Sequence, residues 1–94
     1  MEKKKLNVLL VDDDEINRQV ACAFLEKWDI GVTIATDGKQ ALELVRAKSF
    51  KLVMMDLQMP EMDGYECTRL IRAMGDAYFT NLPIIVFSAS SIAC

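Results

Sequence analysis

The sequence has no histidine, and its three cysteines, Cys22, Cys67 and Cys94, are an odd number without a CxxC spacing. Zinc sites and disulfide frameworks need what is missing here. No run of 18 apolar residues occurs, which excludes a transmembrane helix and any expected membrane contact. No GxGxxG follows the first apolar segment, so nothing supports dinucleotide binding. Basic charge is also scarce: the net charge is -3 and the pI about 4.8, which argues against nucleic acid as a direct ligand. Lys3-Lys4-Lys5 reads as a solvated leader to the first strand. That leader runs into a strand and not into a secretory apolar region, so the expected location is cytoplasmic.

What is present is a set of acids behind apolar runs. Asp12, Asp13 and Asp14 follow Val8-Leu9-Leu10-Val11, and Asp56 follows Leu52-Val53-Met54-Met55. Four apolar residues that stop at an acid look like a buried parallel strand reaching the rim of its sheet, because both faces of such a strand must be apolar. Two such strands can deliver acids to one place. Ligands of open α/β sheets bind beyond the carboxyl ends of the strands, where the strand order reverses. The pattern therefore points to a metal and phosphoryl site.

The 94 residues, 52% of them apolar, suffice for one domain over residues 1–94. Strands and helices alternate along it. Strands are expected at residues 6–11, 32–35, 52–55 and 84–87. A first helix over 15–28 has Asp14 as N-cap and Asn17, Val20, Ala21, Phe24 and Trp28 facing inward at helical spacing; Ile30-Gly31 ends it. Asp37 caps a second helix over 39–48 with Ala41, Leu42, Leu44 and Val45 inward. A loop over 56–64 leads to a third helix from Tyr65 to about Met74, with Leu70, Ile71 and Met74 inward. In that loop Asp63 is a cap and Gly64 supplies an unusual backbone angle. Residues 75–82 read as a polar connection ahead of Pro83. The six methionines read as core filling. Strict alternation implies right-handed crossovers and a parallel sheet covered on both faces.

Val11-Asp12-Asp13, the stretch Met55-Asp56-Leu57-Gln58-Met59-Pro60-Glu61-Met62-Asp63-Gly64, and Phe87-Ser88-Ala89 occur in the order found in response-regulator receiver domains. Together with Asn17 and Glu66, the wording resembles receivers of hybrid sensor histidine kinases. The resemblance runs from Leu6 to the last residue. It implies a flavodoxin-like, doubly wound parallel sheet of strand order 2-1-3-4(-5), as in the chemotaxis receiver. The first and third strands then become neighbours, and Asp12, Asp13 and Asp56 share a pocket. Crowded carboxylates raise one another's pKa unless a cation intervenes.

By the family pattern, Asp13, Asp56 and the Gln58 backbone carbonyl bind Mg2+ (or Mn2+) directly, and Asp12 binds it through water. Asp56 is the phosphoacceptor. Ser88 contacts a phosphoryl oxygen and acts as the switch, while Ala89 leaves the approach open. Gln58 and Ser90 occupy positions that influence the lifetime of the acyl phosphate. The implied function is a two-component receiver, a regulatory domain that catalyses only its own phosphorylation and dephosphorylation. Its implied partners are a sensor histidine kinase or a histidine phosphotransfer domain.

Two other readings compete with this one. A haloacid-dehalogenase-type phosphohydrolase would suit Asp12-x-Asp14, but Ile16 stands where Thr or Val is expected and no later Lys plus acidic-pair motif appears. A degenerate or interaction-only receiver would fold without being phosphorylated. It gains weight from a departure: complete receivers continue into a fourth helix, a fifth strand ending in lysine and a fifth helix. No residue here matches that lysine. The sequence is therefore expected to be a stretch of a longer protein, or else to dimerise or exchange strands through the exposed fourth strand.

Overall fold

The computed structural model describes residues 6–88. Lys3-Lys4-Lys5, Ala89, Ser90 and Cys94 lie outside the described residues. Four parallel strands, β1 (Leu6–Val11), β2 (Ile30–Ala35), β3 (Leu52–Asp56) and β4 (Ile84–Phe87), form one sheet in the order β2-β1-β3-β4. The expected topology is the one found. Between them run helices α1 (Glu15–Lys27), α2 (Gly38–Ala47), α3 (Gly64–Arg72) and the short α4 (Ala77–Asn81). No helix of the described residues is long and apolar enough to cross a membrane.

Each helix starts at an aspartate. Asp14 Oδ1 accepts from the N–H groups of Ile16 and Asn17 at 2.9 and 3.2 Å. Asp37 and Asp63 each accept one at 2.8 Å, from Gln40 and Glu66, and Asp76 accepts from Tyr78 at 3.3 Å. These bonds satisfy donors that the first helical turn leaves without intrahelical partners. The sequence pattern does not mark Asp76 as a cap, yet residues 75–82 are not merely a polar connection: they hold α4. There Tyr78 donates its hydroxyl to the Phe50 carbonyl at 3.2 Å and accepts the Phe50 N–H. Arg72 Nη1 donates to the carbonyls of Phe79, Thr80 and Leu82.

Strand order fixes the layers. The chain moves one way from β1 to β2 and the other way from β2 to β3, so right-handed crossovers place α1 on one face and α2 and α3 on the other. On the second face Leu9, Val11, Val53 and Met55 pack with Ala41 and Val45 of α2 and with Cys67 and Ile71 of α3, all buried. Met59 is buried there, and Met62 and Met74 are partly buried against the same core, in keeping with a filling role.

The other face departs from expectation. Leu25 is the buried residue of α1, while Val20, Phe24 and Trp28, expected inward, are 66%, 63% and 67% exposed. They recur every fourth residue with Ile16 as a stripe on one flank of α1. Asn17 and Ala21, also expected inward, are half-buried at the same helical spacing as buried Leu25, so helical spacing identified an apolar stripe but misplaced which flank faces the sheet.

Two backbone expectations also change. Asp29, with φ of 62°, makes the left-handed turn after α1, and Gly31 lies inside β2 opposite Asn7. Gly64 is not at a positive φ; in its loop that role falls to Glu61, at 71°.

Candidate functional site

The acids meet at the carboxyl ends of β1 and β3. Register makes this unavoidable: Leu10 pairs with Met54 and Val11 with Met55, so the next residue on each strand, Asp12 and Asp56, lands at the same level. Reversal of chain direction between β1 and β3 opens the crevice just beyond them. One carboxylate oxygen each from Asp12, Asp13 and Asp56 lies within 4.8 Å of the others. Asp12 and Asp56 are buried, at 1% and 4% exposure, and Asp13 faces solvent. A hard-oxygen donor set at this spacing, open on one side, fits a divalent cation that keeps part of its water shell.

Local bonds hold the two buried acids. Asp12 Oδ1 accepts the Asp14 N–H at 2.9 Å, while the Asp12 N–H donates to the Ala35 carbonyl at 3.1 Å. Asp56 Oδ1 accepts the Gln58 N–H at 3.3 Å. Burial pushes the Asp56 carboxyl up to about 6, the Gln58 N–H pulls against that, and the Asp12 and Asp13 carboxylates add to the rise. Removing charge from water and crowding it with like charge both favour the neutral form. A cation among these oxygens would offset that crowding.

The loop after Asp56 is closed at its ends. Leu57 N–H donates to the Phe87 carbonyl at 2.6 Å, and Gly64 N–H donates to the Leu57 carbonyl at 2.8 Å. Within it Met62 N–H donates to the Pro60 carbonyl at 2.7 Å, a three-residue turn around Glu61. Gln58 stands in this loop next to the acids. Ser88 directly follows Phe87, the register partner of Asp56, so the chain brings it to the same rim. Sequence reading missed Arg18, whose Nη1 donates to the Asp12 carbonyl at 2.9 Å. Cys67 is buried, with its thiol pushed up to about 11 by burial and then by Asp37, and its Sγ donates to the Gly38 carbonyl at 3.6 Å. It is a core residue and not a nucleophile.

Residues 8–93 match the family model of the response regulator receiver domain. The chain belongs to that family. This receiver is 44% identical over 96 residues to the two-component response regulator ORR41 of Oryza sativa subsp. japonica, covering 98% of this chain and 72% of that protein. It is 49% identical over 69 residues to probable histidine kinase 4 of the same plant, covering 72% of this chain but 7% of the kinase. The receiver thus spans a small part of the histidine kinases that it matches. Among solved structures, the receiver domain of sensor histidine kinase PA1611 from Pseudomonas aeruginosa PAO1 superposes with a TM-score of 0.84 at 33% identity, over 94% of this chain and 70% of that one. That structure has a magnesium ion coordinated in its active-site cleft. A response regulator receiver from Methanoculleus marisnigri JR1 also reaches 0.84, at 27% identity over 90% of this chain.

Proposed function

We propose that this receiver takes a phosphoryl group from a phosphohistidine onto Asp56 and signals through the change that follows. The observation that carries the reading is the triad of carboxylates within 4.8 Å at the switch point of the sheet. Asp13, Asp56 and the Gln58 carbonyl would hold Mg2+ or Mn2+, and Asp12 would act through water. When bound, the ion offsets the charge of the acids and of the incoming phosphoryl oxygens. The solved receiver with magnesium in its cleft supports this assignment.

Asp56 is the nucleophile. A carboxylate oxygen bonds to phosphorus as the P–N bond of the donor phosphohistidine breaks, leaving an acyl phosphate on Asp56 and returning the electron pair to the imidazole. Leu57, the next residue, is bonded through its N–H to the Phe87 carbonyl and through its carbonyl to the Gly64 N–H, which supports a fixed position for in-line approach. Ser88, one residue past the partner of Asp56, donates its hydroxyl to a phosphoryl oxygen. Moving toward that oxygen, it carries the end of β4 into a second arrangement. The donor is a sensor histidine kinase or a histidine phosphotransfer domain, as the kinase and regulator relatives suggest.

A phosphorylated phosphotransfer domain tests the reading. Label is expected to move to this receiver only when a divalent ion is present, and not to Asp56→Asn. A receiver that binds the donor without taking label is interaction-only, and the proposal fails.

A further inference from the structure

We infer that Arg18 is a positioning residue for the cation site: it fixes the main chain of Asp12 so that the acid pair presents its carboxylates in register with Asp56. The inference rests on the cation reading above. Its ground is the end of β1. The β1 ladder closes at Val11 opposite Ala35 and Met55, and the Asp12 N–H is still held, by the Ala35 carbonyl at 3.1 Å. The Asp12 carbonyl has run past the last paired position, in a residue that is 1% exposed. A carbonyl buried at such a place needs a donor, because leaving it unmade costs about 1–3 kcal/mol. Arg18 Nη1 provides one at 2.9 Å, reaching back six residues from the first turn of α1.

The consequence reaches the carboxylates. The peptide plane that carries the Asp12 carbonyl also carries the Asp13 N–H, so holding that oxygen sets the orientation of both acids at once. With the Asp14 N–H on Asp12 Oδ1 at 2.9 Å and Asp14 capping α1, residues 12–14 are held at three points. Groups that orient a metal's ligands tune its affinity, and their loss typically weakens binding about 10- to 100-fold.

The sign of the effect separates this role from simple charge. A guanidinium beside a cation site repels the cation, so by Coulomb's law alone its removal tightens binding. Positioning predicts the reverse. Titration of Mg2+ into Arg18→Gln by calorimetry is expected to show a Kd raised about tenfold or more. Arg18→Lys, which keeps the charge and a donor but not the planar fork, is expected to fall between that variant and the unsubstituted protein. Melting of the metal-free proteins is measured alongside, because a residue that merely supports the fold lowers the melting temperature and leaves Kd unchanged.

An unchanged or lower Kd in a folded Arg18→Gln overturns the inference. If that variant does not fold, Arg18→Lys decides: a raised Kd supports the inference and an equal or lower one overturns it. Absence of Mg2+ binding by the unsubstituted protein removes the cation reading itself, and this inference with it.

Discussion

Gly64 lies directly against the backbone of Asp56: a methyl group at its Cα would stand 2.6 Å from the Asp56 carbonyl oxygen and 3.0 Å from Leu57 Cα. Both neighbours are main chain, so neither can swing aside. β3 and the start of α3 can approach this closely only because residue 64 has no side chain.

Gly64→Ala is therefore expected to push the loop of residues 57–64 away from β3. Overpacking of this kind costs about 1–3 kcal/mol, a fall of roughly 4–24 °C in melting temperature for a domain of this size. Thermal melts check the first effect, and Mg2+ titration checks whether the displaced Gln58 carbonyl weakens binding.

The pH dependence of the metal-free protein has a definite sign. Asp56 is raised from 3.8 to about 6, by burial first, so between those values the folded chain binds more protons than the unfolded one. Stability from this residue is then present at low pH and falls as pH rises through about 6, by at most about 3 kcal/mol. Denaturant melts from pH 4 to pH 8 are expected to show that fall in the unsubstituted protein. Asp56→Asn should flatten it and be the more stable protein at pH 8. Saturating Mg2+ should have a similar flattening effect on the unsubstituted chain, because the ion favours the ionised acid.

Two apolar residues of similar sequence promise should behave very differently. Phe24 is 63% exposed and Ile71 is fully buried. Phe24→Lys is expected to change stability by no more than about 0.5 kcal/mol, whereas Ile71→Ala should cost about 2–5 kcal/mol through lost contacts and the cavity left behind. Paired urea melts decide it. Equal costs would show that the flank of α1 carrying Val20, Phe24 and Trp28 is covered in solution.

Strands and site were legible in the sequence for one physical reason. A strand buried on both faces shows as an unbroken apolar run, and the acid that ends it marks the rim; β1 and β3 both carry that mark, and parallel register then set Asp12 beside Asp56. Helix caps were legible at Asp14, Asp37 and Asp63 because short acidic side chains accept N–H groups well in just that position. The facing of α1 was not, since periodicity defines a stripe without saying what lies opposite. Nor was the reason for Gly64: a requirement for space and one for a positive φ leave the same letter in the sequence. Arg18 escaped notice because a guanidinium bonded to a carbonyl six residues back leaves no spacing signature of its own.

The most direct measurement is the intact mass of the protein after incubation with acetyl phosphate, with Mg2+ and with a chelator, for the unsubstituted chain and for Asp56→Asn. The account predicts a gain of one phosphoryl group that needs the ion and disappears in the variant. A gain that persists in Asp56→Asn, or none in the unsubstituted protein with Mg2+ bound, would contradict it.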